Sequence, residues 1–161
     1  MARLYHLERL QVIPRPRDEV FAFFAEAANL EILTPAFLNF KILTPQPIAM
    51  QRGALIDYKL RLFQIPFYWR TRIDLFEAPT RFADRQIRGP YRHWYHTHDF
   101  REIPGGTEMR DHVEYALPFG LLGRLTHGLA IQRMLDRIFD YRYDRLNSLF
   151  PPHNAVPTSR L

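Results

Sequence analysis

The chain has 161 residues, 47% hydrophobic and 24% charged, the composition expected of one soluble globular domain with a sizeable core. It has no cysteine, which excludes disulfides, thiolate chemistry and Cys-ligated zinc. The net charge of +5 would suit nucleic acid or anionic lipid. However, the cations alternate with apolar residues and no nucleic-acid motif occurs, so no nucleic-acid partner is expected.

The first strand is expected from Leu4 to Ile13, with both faces mixed in polarity; Pro14 and Pro16 stop it. Its charged start, MARLYHLERLQVI, lacks the apolar run of a signal peptide. No segment approaches the ~18 apolar residues that cross a bilayer, so a cytoplasmic location is expected. A helix led by Pro16, with Asp18 and Glu19 in its first turn, carries the stripe Val20, Phe21, Phe24 and Ala25. A second short helix spans about Ala27 to Leu33 and ends at Thr34-Pro35.

Strands then dominate. One is expected over Phe37 to Leu43. Another, Ala54 to Leu62, sends Ile56, Tyr58, Leu60 and Leu62 inward and Asp57, Lys59 and Arg61 outward. After a turn near Gln64-Ile65-Pro66, Trp69, Thr71, Ile73 and Leu75 face in. Turns at Pro79-Thr80, Gly89-Pro90 and Pro104-Gly105-Gly106 separate three further strands, so an antiparallel meander is expected. From Leu121 to Phe150 the apolar period changes to that of a helix, about 40 Å long at ~1.5 Å per residue. The chain is read as a single domain over residues 1–150, with a disordered tail over 151–161.

The three strands between Arg81 and Tyr115 mix apolar and ionisable side chains on the same face. Phe82, Asp84 and Gln86 share one face; so do Trp94, His96, His98 and Phe100, and so do Met109, Asp111, Val113 and Tyr115. Buried polar groups are costly unless paired or used, so this pattern reads as the wall of a cavity. His96 and His98 should lie ~6–7 Å apart on one strand. Asp84 and Asp111, from the flanking strands, should sit ~4.5–5.5 Å across from them. His93 and His112 point outward by parity, and His6, His127 and His153 have no evident partner.

This order of elements resembles the START/Bet v 1-like superfamily, also called SRPBCC or helix-grip. The resemblance covers about Leu4 to Phe150. It rests on the entry PRPRDEVFAFFAEAANLEILTP and on GALIDYKLRLFQIPFYWRTRI, PTRFADRQIRGPYRHWYHTHDF and TEMRDHVEYALPFGLLG, which are similar to a bacterial ligand-binding and polyketide cyclase-like subgroup. The resemblance implies an α+β helix-grip fold: about seven antiparallel strands, strongly curved around a long C-terminal helix, with an internal cavity. The iron ligands and Rieske motif of the oxygenase members have no counterpart at matching positions, and no cofactor is expected. The resemblance also places Phe119, Leu121 and Leu122 near the cavity mouth, where they would gate entry, touch a membrane surface or pack under the helix start.

The expected function is binding of a small hydrophobic or amphipathic molecule: a lipid, a quinone or a polyketide-like compound. Tyr58, Leu60, Trp69, Ile73, Phe82, Trp94, Phe100 and Met109, with Met134 and Ile138 of the helix, would supply apolar walls; Tyr115 would join Tyr58 and Trp94 as a polar-tipped aromatic. Asp84, Gln86, His96, His98 and Asp111 would orient the ligand. Three readings of the His/Asp group stay open. The first is a structural hydrogen-bond network. The second is a cyclase or dehydratase acid–base pair, with His96 or His98 as base and Asp84 or Asp111 as partner. The third is a metal site of His96, His98 and one aspartate. A module that binds other proteins through its basic outer face, without ligand, is the remaining alternative.

Overall fold

The structure, a computed structural model, describes residues 3–118 and 130–152. Strand β1 (Tyr5–Ile13) leads through Pro14 and Pro16 into helix α1 (Arg17–Ala25), which buries Val20, Phe21 and Phe24. Helix α2 (Asn29–Ile32) is a single turn. Next come a 3-10 turn (Ala36–Leu38) and a two-residue strand, β2 (Lys41–Ile42), in place of the continuous strand expected over Phe37 to Leu43. The reason is local. Asn39 adopts a left-handed conformation (φ 44°) that turns the chain, so only Lys41 and Ile42 reach the neighbouring strand, opposite Lys59 and Tyr58.

Five longer strands follow: β3 (Leu55–Leu62), β4 (Ile65–Glu77), β5 (Arg81–Arg88), β6 (His93–Ile103) and β7 (Gly106–Ala116). All pair antiparallel in one sheet of order β1-β7-β6-β5-β4-β3-β2. The meander expected from the turn residues is present, and β1 closes it beside β7. Register shifts between β4 and β5 break the alternation after Ile73. Phe76 is thereby brought against Phe21 and Phe82, while Leu75, expected inside, is half-buried.

Helix α3 (Gln132–Leu149) lies against the sheet through Met134, Leu135, Phe139 and Leu146. Its 18 residues make about 27 Å at ~1.5 Å per residue, the later part of the span read from the sequence. The first part of that span, with Phe119, Leu121 and Leu122, lies outside the described residues, as do His127 and the tail from His153 onward. Among the described residues no helix is long and apolar enough to cross a membrane.

The mixed inner face of β1 has a simple cause: it meets α3 through polar contacts. Gln11 Nε2 donates to the Tyr143 carbonyl (3.0 Å) and to Asn147 Oδ1 (3.0 Å), and Arg9 pairs with Asp136 at 2.6 Å. On the outer face of the sheet, cations find carboxylates: Arg70 makes a two-pronged contact with Asp57, and Arg101 reaches Glu108 through two nitrogens.

The turn into β7 depends on Gly106. A Cβ there would run into the Ile13 carbonyl oxygen, a backbone atom that cannot swing away, whereas a Cβ on Gly105 meets nothing. Gly105 has φ 87°, so Gly105→Ala should cost only the ~1–2 kcal/mol of left-handed strain. Gly106→Ala should cost clearly more, with urea midpoints of the two variants as the measurement.

Candidate functional site

Three strands set the site. Asp84 of β5 pairs across with His96 of β6, and His98 of β6 pairs across with Asp111 of β7. Period-two alternation places all four on the concave face, so two carboxylates bracket an imidazole pair. The rings are closer than strand spacing alone suggests, with centroids 3.9 Å apart.

At one end of the imidazole pair, Asp111 Oδ1 lies 2.9 Å from His96 Nε2 and 2.9 Å from His98 Nδ1. Only the His96 contact is aligned as a hydrogen bond; His98 Nδ1 approaches out of line. At the other end, Asp84 Oδ2 lies 3.4 Å from His98 Nε2 and 3.9 Å from His96 Nδ1, and the Thr71 hydroxyl donates to Asp84 Oδ1 at 3.3 Å. Phe82 stacks on His98 at 4.1 Å.

Burial and charge set the protonation pattern. Burial lowers the His96 pKa and the neighbouring His98 lowers it further, to about 4 despite the two aspartates. Burial also works against charged His98, but its contacts with Asp111 and Asp84 outweigh this and raise its pKa. Burial would raise Asp111; Arg142, then His96 and His98, bring it well below the carboxylate range. For Asp84, burial is likewise overcome by His98 first and then His96, so its pKa is lowered.

Beside this group, between sheet and α3, is a cavity of about 180 Å³. Tyr58, Trp69, Phe82, Asp84, Trp94, His96, His98, Met134 and Ile138, all singled out in the sequence, line it. Five others stand outside the lining. Asp111 is behind the imidazoles. Gln86 Nε2 donates to the Tyr91 carbonyl (2.6 Å) and its Oε1 accepts from the Tyr91 amide, so it clamps a turn. Phe100 and Met109 belong to a second apolar cluster, with Phe21 and Leu146. Tyr115 packs against Tyr5 and Tyr91.

Sequence reading missed two lining residues of weight. Tyr91 follows the Gly89-Pro90 turn, where strand alternation gives no direction. Arg142 was hidden among the arginines of the helix, yet it falls four residues after Ile138 and three after Phe139, hence on the inner face. Its guanidinium lies over Phe24 and Phe139, at 5.3 and 5.8 Å. On the outer sheet face, His6 and His112 are partners, with Nδ1 and Nε2 3.3 Å apart.

The shifted pKa values predict a pH response. His96 folds with a lowered pKa, so the unfolded chain gains its proton first and stability falls from pH 6.5 toward 4. Below that, the aspartates lose their contribution as well. His98 does not offset the loss, because its raised pKa gives a contribution that is constant below pH 6.5 and disappears only as pH rises through its folded value. The expected loss between pH 6.5 and 4 is about 3 kcal/mol. Urea denaturation across this range should show it, and His96→Gln should flatten the slope.

Comparison with known proteins agrees with this architecture. TTHA0849 from Thermus thermophilus superposes with a TM-score of 0.68 at 13% identity, covering 90% of this chain and 99% of that one. Ginseng major latex-like protein 151 from Panax ginseng gives 0.67 at 8%, covering 92% and 99%. Norcoclaurine synthase of Thalictrum, a point mutant in complex with a transition-state analogue, gives 0.65 at 11%, covering 92% and 98%. These likenesses show the fold, that of the Bet v 1-like helix-grip superfamily. No curated protein matches the sequence. The family model for polyketide cyclase / dehydrase and lipid transport matches residues 13–139, most of the sheet and the first turns of α3, and the chain belongs to that family.

Proposed function

We propose that the chain binds a small, mainly apolar molecule bearing one oxygen acceptor, in the cavity between the sheet and α3. The observation that carries this reading is the lining of the cavity. Aromatic and aliphatic side chains form most of the wall; Asp84, His96 and His98 are grouped on the sheet, and Arg142 and Glu26 are the other charged residues of the lining. Trp69 Nε1 and Arg142 Nε are buried donors with no hydrogen-bond partner among the described residues. Such donors favour a ligand that brings a carbonyl, hydroxyl or carboxylate oxygen.

Size narrows the class. A cavity of ~150 Å³ accepts benzene, whereas drug-sized ligands occupy ~300–1,000 Å³. At about 180 Å³ the present space suits a single ring or a small bicycle. A lipid or extended polyketide requires the walls to part.

Both tryptophans of the chain, Trp69 and Trp94, line the cavity, so their fluorescence reports on it directly. Titration with phenol, benzoate, 1-naphthol and decanoate should give a saturable change for at least one ring compound. Ile138→Phe, which fills the space from α3, should weaken that binding at least tenfold with the far-UV circular dichroism unchanged. If no probe saturates, and native mass spectrometry of the freshly purified protein finds no bound molecule, the reading fails.

Acid–base chemistry is a second reading, favoured by one observation. Two adjacent imidazoles have pKa values pushed in opposite directions, the arrangement that gives an acid and a base at one pH. On this reading a bound ketone probe should exchange its α-hydrogens for deuterium, followed by NMR. His96→Gln should abolish the exchange while leaving probe affinity within threefold. Unchanged exchange in that variant would eliminate the acid–base reading.

A further inference from the structure

We propose that Asp84, His96 and His98 form a binding site for one divalent transition-metal ion, of the zinc or cobalt class, open to the cavity. The inference goes beyond ligand binding, because the ion would be held whether or not an organic molecule is present.

The argument begins with where the nitrogens point. Asp111 takes one nitrogen of each imidazole, His96 Nε2 and His98 Nδ1, both 2.9 Å from the same oxygen. The other nitrogens, His96 Nδ1 and His98 Nε2, are turned toward Asp84 Oδ2. One donor atom from each of Asp84, His96 and His98 lies within 4.8 Å of the others. This is how histidine ligands are commonly arranged: the metal on one nitrogen, an outer carboxylate orienting the ring through the other. Here Asp111 Oδ1 orients His96 through an aligned hydrogen bond, and lies beside His98 Nδ1 without one.

Spacing agrees with the chemistry. Bonds of ~2.0–2.2 Å to nitrogen and oxygen place neighbouring donors ~3–3.5 Å apart in tetrahedral or octahedral centres. The Asp84–His98 separation of 3.4 Å already falls there, and the Asp84–His96 separation of 3.9 Å needs a small closure. Two imidazoles with one carboxylate suit zinc, cobalt, nickel or iron better than magnesium or calcium. All three residues line the cavity, so three protein ligands would leave a position facing open space. The packing of Phe82 on His98 and of Phe139 near His96 restricts both rings, which reduces the ordering needed on binding.

The cluster of His6, His112 and Glu114 on the outer face is a built-in competitor, because its donor atoms also lie within 4.8 Å of one another. Its rings are nearly parallel, with centroids 5.5 Å and nitrogens 3.3 Å apart, so the two nitrogens meet almost head-on. That geometry suits an imidazole–imidazole hydrogen bond better than two lone pairs converging on an ion.

Titration of EDTA-treated, dialysed protein with Co²⁺, followed by visible ligand-field bands and by calorimetry with Zn²⁺, tests the proposal. One equivalent should bind with the intensified bands of a low-symmetry N₂O site. Asp84→Asn and His96→Asn should each weaken binding at least tenfold. The His6→Ala/His112→Ala double variant should bind as the parent does. Asp84 is only partly buried, so its variant keeps the test decisive if His96→Asn does not fold. The proposal is overturned if the parent shows no saturable binding. It is equally overturned if folded Asp84→Asn binds like the parent, or if the outer double variant abolishes binding. Tryptophan titration with the organic probes runs separately, so failure of this proposal is distinguishable from failure of ligand binding.

Discussion

The structure depends on how two carboxylates, Asp111 buried and Asp84 partly so, are held against two buried imidazoles. An uncompensated buried charge costs several kcal/mol, and removing one partner of a buried pair typically costs about 3–5 kcal/mol. Asp84, His96, His98 and Asp111 avoid that penalty only in one register of β5, β6 and β7. A slip of one residue would turn all four to the convex face and bring the charged residues between them inward. The cluster therefore does more than line a wall: it fixes which face of three adjacent strands is concave, and with it where α1 and α3 must pack.

The same cluster divides the interior. On one side lie Phe21 and Phe100, linked by ring contacts at 5.3–6.0 Å to each other and to Phe24 and Phe82, which also line the cavity, and closed off by Leu146 of α3. That half is filled by rings that meet one another directly. On the other side, Tyr58, Trp69, Tyr91 and Trp94 contact one another in a chain with centroids 4.8–5.8 Å apart. Tyr58, Trp69 and Tyr91 belong to the same apolar cluster as Met134, Leu135 and Phe139 of α3, with Trp94 and Ile138 packed against it. The cavity lies among these residues, and the polar cluster stands at its border.

How much of this was legible in the sequence follows from periodicity. Where strands alternate cleanly, as in Ile56 to Leu62 and Trp94 to Phe100, the inward face could be read directly, and the four polar residues were brought together from parity and strand order alone. Parity could not separate the hollow half from the filled half, which is why Phe100 and Met109 were grouped with the cavity wall. Nor could it follow the chain through the bulges of β4, where Phe76 replaces Leu75 on the inside. Gln86 has the right parity, but its amide is used by the backbone of Tyr91, a local bond that strand reasoning does not see. Arg142 was legible in principle, since its spacing from Ile138 and Phe139 sets its face. Its charge argued for the outside, and only the buried carboxylate of Asp111 explains why an arginine belongs within.

Arg142 also bears on what the cavity selects. Its positive charge lowers the Asp111 pKa and opposes protonation of His98. On the proposed reading, selection falls to direction and shape: N–H donors on Trp69 and Arg142 that have no partner among the described residues, and aromatic walls that favour flat ligands. Membership in a family that spans cyclases, dehydrases and lipid transport leaves the chemistry open, because a fold of this kind supplies the enclosure and the side chains at its border decide the use. In this chain that border holds two imidazoles, one hydrogen-bonded to Asp111 behind it, and both facing Asp84. Such an arrangement suits the uses proposed for it, holding an oxygen atom, a proton or a metal ion, and leaving one of its partners unpaired would be costly.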